Sequence, residues 1–500
     1  MAGGSQGHHD DGRRKTGGSV NADEECLYFG GRHIPCARLL DQRSQDFQRL
    51  AIGKSNREGL RSRPFKASKN ACHQDASQVW EDSMVTSQRS WRVDRRTILK
   101  TSAALAAVQF SSPFIIKARG ETPVRIGMVD PLTGVYAAIA QNEVVGAKFA
   151  IEEINKKGGI LGRPVELLIE DSANDVGTGV QKTRKLIERD QVSFIVGDVN
   201  SGIAIAMAQV TSEKQVLHIV SGGHTDPITG ANCSWNVFRV CNSTTMDANA
   251  IASTLIEKFG KKWYFLTPDY AYGHSVQAGF EKVLKAAGGT SAGSLVPLGT
   301  PDYSAYLIQA KAYGPQVLIN VMGGGDQVSS LKQFVQFGLD KQMAVGGALF
   351  ELESIRAVPD GARVGWWTME WWWDQPGVPH VAEFNASIKK ITGGAATARN
   401  WFGYASIQTL AVIANQEKTL EAPRLARALS GFKLPPEIAL QPGTPEYRAG
   451  DHELMSTVFV GEAHPPQGDP DNMFTIRNPL PGEKAAGPVE GTGCKIQWPV

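Results

Sequence analysis

Two residue patterns in this chain could do chemistry: a serine set between spaced glycines, and small polar residues that recur in short loops. Gly289-Thr290-Ser291-Ala292-Gly293 has the spacing of a nucleophile elbow, which needs a strand entering the turn and a helix leaving it. Here a helical run over 275–287 precedes the motif and an apolar stretch over 294–296 follows. That order is reversed, so the glycines read as a helix stop. The run Gly323-Gly324-Gly325 lacks the Lys-Ser/Thr pair or the third spaced glycine of a phosphate loop. No enzymatic activity is expected.

Metal chemistry finds no pattern either. Cys26, Cys36, Cys72, Cys233, Cys241 and Cys494 form no C-x-x-C pair, and no histidine cluster completes a zinc spacing. His8-His9-Asp10-Asp11 reads as a solvated polar tail. Neither a metal nor a cofactor is expected. Cys233, Cys241 and Cys494 allow at most one bridge among them, and their connectivity stays open.

The second pattern is set by the elements around it. Short apolar runs at 124–129, 165–169, 193–196, 216–220, 262–266, 317–321 and 343–346 have the length of buried strands. Helical spacing fills the intervals, with apolar residues at Val144, Ala147, Ala150, Ile151 and Ile154 in the first. Strands alternating with helices predict βαβ units around parallel sheets, and two such series predict two α/β lobes. Ligands of open parallel sheets bind beyond the carboxyl ends of the strands. The loops there are 131–136, 197–202, 221–225, 267–273, 322–326 and 348–351, rich in Gly, Ser, Thr, Asn and Tyr. Ser201 and Thr225 open helices whose first amides are expected to face a polar or anionic ligand. Asn200, Gly223 and His224 share those two loops, and Tyr272 lies in a third.

Bulk composition agrees with a soluble binder. The chain has 500 residues, 42% hydrophobic and 20% charged, with formal charge +2, so no global field draws nucleic acid or an anionic membrane. Residues 1–83 are polar and aperiodic and are expected to be disordered or a misassigned extension. In 84–120, Asp94-Arg95-Arg96-Thr97 leads into a short, mildly apolar stretch that ends at small residues Ala118 and Gly120. This pattern resembles a twin-arginine export signal. Translation is expected to start at Met84, with export to the periplasm leaving Glu121–Val500.

The ordered segments Val124-Arg-Ile-Gly127, Pro131-Leu-Thr-Gly134, Ile154-Asn-Lys-Lys-Gly-Gly-Ile-Leu-Gly-Arg-Pro-Val165 and Phe194-Ile-Val-Gly197 resemble a known family. They are similar to the substrate-binding proteins of branched-chain amino acid type ABC transporters, which are type I periplasmic binding proteins. The resemblance implies two Rossmann-like lobes with parallel sheets joined by a three-crossing hinge. It places lobe 1 at 121–243 plus 374–445 and lobe 2 at 244–373 plus 446–500. It implies a monomer that closes on a small ligand and presents it to permease subunits, with no stable membrane insertion. A sensor of the same fold is the alternative, and a secreted hydrolase the remote one.

Residue by residue, Ser201 matches a serine that hydrogen-bonds a ligand carboxylate, Gly223 and Thr225 match a loop that supplies backbone and hydroxyl groups, and Tyr272 matches a tyrosine of the second lobe. The family's acidic partner for a ligand ammonium is missing near Gly346-Gly347, with Glu351 and Glu353 several residues on. An amide or urea-like compound or an aromatic carboxylate therefore stands beside an amino acid as expected ligand. Five tryptophans crowd into residues 365–374, and one of them, Trp372, is expected to stack on the ligand opposite Phe350.

Overall fold

The computed structural model describes residues 122–499, so the expected extension, the Arg95-Arg96 signal and the proposed start at Met84 lie outside the described residues. Two sheets organise the rest. The first comprises β1 (Val124–Asp130), β2 (Val165–Asp171), β3 (Phe194–Gly197), β4 (Leu217–Val220) and β5 (Val237–Arg239), all parallel, in the order β2-β1-β3-β4-β5. The second holds β6 (Lys262–Pro268), β7 (Thr290–Val296), β8 (Val317–Asn320), β9 (Ala344–Gly347) and β10 (Trp366–Met369) in parallel. Two antiparallel strands, β11 (Val458–Ala463) and β12 (Phe474–Leu480), extend its edge in the order β12-β11-β10-β9-β8-β6-β7. The expected two-lobed α/β fold is present. Ser291 sits inside β7, after the helix Ala271–Ala286 has ended, which is not the strand-turn-helix of a nucleophile elbow.

Each lobe has its own core, because strands covered by helices on both faces must be apolar throughout. In the first lobe, Ile126, Met128, Phe194, Val196 and Ile219 pack against Trp401, Phe402, Ile407 and Leu410 of the helix Ala398–Glu417. That helix is buried nearly all round. It runs along the helix Ala137–Lys156 so closely that a Cβ on Gly403 would lie 2.0 Å from the carbonyl oxygen of Glu143. This contact sets Glu143 beside the start of the Ala398–Glu417 helix.

The chain changes lobes near residues 241–243, 370–374 and 455–457. Tyr447 and Leu454 pack in the first lobe's core, so the third change comes about ten residues later than expected. A fourth passage follows. The helix Gly482–Ala486 packs on the second lobe, where Asn249 donates to the carbonyl of Ala485 at 2.8 Å. The tail then returns to the first lobe: Trp498 lies against its core, Arg427 stacks over the Trp498 ring, and Cys494 is bonded to Cys233. Residues 446–454 and 487–499, expected in the second lobe, thus belong with the first. Cys241 is free and buried. Among the described residues no helix is long and apolar enough to cross a membrane.

Two outcomes follow from these contacts. Cys494→Ser should lower stability by about 2–5 kcal/mol, seen as a lower urea midpoint, because the bridge closes a long loop in the unfolded chain. Gly403→Ala should cost about 1–3 kcal/mol by forcing the two helices apart. Gly403→Ser should cost at least as much in the same urea titration.

Candidate functional site

The strand-end loops of both sheets converge on one buried guanidinium. Arg399 is the second residue of the helix Ala398–Glu417, whose start is fixed by a capping box in which Thr397 and Asn400 satisfy each other's backbone amides. The cap aims Arg399 between the lobes, where it is 2% exposed. Nη1 donates to Glu143 of the first lobe at 2.7 Å. Nε donates to Glu351, which follows β9 in the second lobe. Nη2 donates to His224 Nε2 at 3.2 Å. Gly222 is needed here, since a Cβ on it would lie 2.3 Å from Arg399 Nη1.

His224 is consequently neutral. Nε2 accepts from Arg399, so Nδ1 carries the proton and donates to the Asn242 carbonyl at 3.0 Å. Burial, and then the Arg399 charge, push its pKa well below the ordinary value. Glu143 is raised by burial, which Arg399 opposes. Glu353 is pushed up to about 7 by burial and then by the neighbouring Glu351 charge, and neither of its carboxyl oxygens has a partner.

Tyrosines close the cleft from both sides. Tyr136 follows β1 and Tyr270 follows β6, and their hydroxyls meet across the lobes at 2.6 Å. Further contacts cross the gap, among them Thr225 Oγ1 to the Ala271 carbonyl at 3.3 Å, the Asp226 amide to Ser275 Oγ at 3.1 Å, and the Gly325 amide to the Val135 carbonyl at 2.9 Å. The two rims are thus in direct hydrogen-bond contact.

The structure brings five expected residues to this region. Ser201, Gly223, His224 and Thr225 line the first-lobe side, with the Thr225 amide donating to Ser201 Oγ at 3.3 Å, and Tyr272 meets the His224 ring edge-on at 6.0 Å. Asn200 is there in another capacity. Its Oδ1 accepts from the Gly202 and Ile203 amides at 2.8 and 3.3 Å, capping the helix Ser201–Glu213. The amides expected to face a ligand at that helix start are therefore occupied by the protein's own cap. Phe350 and Trp372 go elsewhere. Phe350 packs on Trp367 at 5.0 Å and Trp372 on Phe474 at 5.9 Å, both in the core of the second lobe. β10 ends at Met369, so the tryptophans beyond it do not alternate as a strand. Trp371 enters the first lobe's core instead, with Nε1 donating to the Leu440 carbonyl at 2.7 Å.

Arg399, Glu143, Tyr136 and Tyr270 were not picked out from sequence. Glu143 could have been: Ile139, Glu143 and Ala147 fall on one helical face, which puts a carboxylate on the buried side. Glu351, several residues beyond Gly346-Gly347, is carried by the turn after β9 to Arg399 in the cleft.

Behind the cleft, the lobe crossings are tied to one another. The Asn242 amide donates to Glu370, Ser456 Oγ to Asn242 Oδ1 at 2.6 Å, Gln441 to the Glu370 carbonyl at 2.8 Å, and the Thr457 amide to Gln441 at 2.8 Å. Asp247 begins the second lobe close by, accepting from Thr368 at 3.0 Å, and burial pushes its pKa up to about 8. The folded protein holds that proton at pH values where the unfolded chain, near 4, has lost it. The stability it contributes is full below about pH 4 and gone once pH has risen through about 8. Urea midpoints should therefore fall between about pH 5 and about pH 8, and Asp247→Asn should flatten that fall; an unchanged slope would remove Asp247 as its source.

Comparison with known proteins gives the same architecture. A family model described as periplasmic binding protein matches residues 123–469. A Leu/Ile/Val-binding protein of Rhizobium johnstonii is 34% identical over 191 residues, 38% of this chain and 52% of that protein. The chain thus matches about half the length of that relative. A Leu/Ile/Val-binding protein homologue of Brucella melitensis is 28% identical over 342 residues, 67% of this chain and 88% of the relative. The crystal structure of a periplasmic binding protein from Burkholderia mallei superposes with a TM-score of 0.70 at 24% identity, covering 74% of this chain and 98% of that one. With two strand-end loop sets facing each other across a polar cleft and most of the chain inside one family model, the protein belongs to the periplasmic binding protein family.

Proposed function

We propose that the protein is the solute-binding component of an ABC transporter, working in the periplasm. A small organic solute enters between the lobes, the lobes close on it about the hinge, and the closed form is presented to permease subunits. The observation that carries this reading is Arg399, a charged group of one lobe hydrogen-bonded to Glu351 of the other inside the cleft. A ligand shifts an open–closed equilibrium only through contacts that differ between the two forms, and cross-lobe contacts at the strand ends are of that kind. The cleft combines tyrosine rings with a few oriented polar groups, as small-molecule sites do. Export is part of the same reading, supported by the family and by the Arg95-Arg96 pattern.

Thermal-shift screening against amines, amino acids, amides, ureas and aromatic carboxylates tests it. A true ligand at a hundred times its Kd stabilises the folded state by about 2.7 kcal/mol. It should also lower the radius of gyration in solution scattering. Ser201→Ala and Tyr272→Ala should each weaken binding about tenfold or more in calorimetry. Wild-type affinity in both would remove the cleft as the site.

A further inference from the structure

Buried carboxyl groups outnumber the cations bonded to them in the cleft and at the crossings behind it. Glu143, Glu351 and Glu370 are 0%, 7% and 1% exposed, and the first two share the single guanidinium of Arg399. Glu370 faces His224 at 3.5 Å, but His224 is neutral, and Glu370 Oε2 has no partner. Glu353 is buried beside Glu351 with both oxygens unpartnered. Among the described residues, Arg399 is the only cationic side chain bonded to any of these four carboxyl groups. Buried acids without partners are costly, and burial pushes Glu143, Glu353 and Glu370 toward the protonated form. A cation entering between the lobes would favour their charged forms and be held by them.

The surrounding rings suit such a charge. Tyr136, Tyr270 and Tyr272 form a continuous series from one lobe to the other, with centroids 6.4 and 6.0 Å apart, and the series ends on His224. Aromatic faces attract cations through the ring quadrupole, and grouped rings recognise alkylated ammonium. Arg399 shows that a planar nitrogen cation is accepted between Glu143 and Glu351.

We propose that the solute captured in this cleft is an organic cation, an amine or alkylated ammonium compound whose charged nitrogen is held by Glu351 and the tyrosine rings and which needs no carboxylate. When the lobes part, Glu351 leaves Arg399, and the ligand nitrogen takes its place as the lobes close again. The inference rests on the solute-binding reading above.

The test is a panel of matched skeletons measured by thermal shift and calorimetry on the full chain. One series is isopentylamine, its trimethylammonium analogue, leucine and isocaproate; the other is benzylamine, benzyltrimethylammonium, phenylglycine and benzoate. The expected result is binding by at least one amine or ammonium compound, with no binding by the carboxylate of the same skeleton. Glu351→Gln should weaken that binding tenfold or more, and Tyr272→Leu several-fold. Binding by the carboxylates, or by the zwitterions alone, overturns the cation assignment while leaving solute capture intact. Amine binding that neither variant weakens overturns it as well. Failure of every member of both series overturns the cation assignment, and solute capture falls with it only if the wider screen above is also silent.

Discussion

A single buried guanidinium organises the interior. Arg399 belongs to the first lobe, where Glu143 and His224 hold it, yet its other carboxylate partner is in the second, so its full set of bonds exists only while the lobes are together. Taking away one member of a buried ion pair typically costs about 3–5 kcal/mol, because the other is left without a partner. Much of the local sequence serves this group. Thr397 and Asn400 fix the helix start that aims it, Gly403 admits Glu143 to its side, and Gly222 leaves room for its Nη1. The low exposure of Glu143 and Glu351 makes the arrangement sensitive to any added charge.

Behind this group, the crossing segments act as one unit. Asn242, Glu370, Ser456 and Thr457 come from the three passages of the chain, Gln441 links two of those passages, and each of the five is hydrogen-bonded to another of the set. His224 touches both Arg399 and Asn242. The cleft and the hinge therefore share a residue, which gives a direct physical route from what sits between the lobes to the segments that bend.

How much of this was legible in the sequence depended on how each element is buried. Strands covered on both faces, such as Phe194–Gly197 and Val317–Asn320, are unbroken apolar runs and read clearly. Val237–Arg239 was missed because it is three residues long and ends in an arginine buried against Glu453. Thr290–Val296 was missed because it is an edge strand of small polar residues, half exposed. The helix Ala398–Glu417 is buried all round and has no apolar stripe, so periodicity could not mark it, and Arg399 went with it. Phe350 and Trp372 were read as ligand contacts from ring type together with their places in the strand-end loop 348–351 and the tryptophan-rich segment 365–374. Large rings are the best core fillers as well, and here packing took them.

The covalent link between Cys233 and Cys494 changes how the molecule would carry load. The whole second lobe lies between these two residues in sequence, inside a loop spanning 261 positions. Tension applied between residues 122 and 499 would run through the first sheet to Cys233, across the sulfur–sulfur bond, and out along the last few residues. The second lobe would stay slack. It can swing on its hinge as a side branch, while a pull on the chain ends is borne by the first lobe alone.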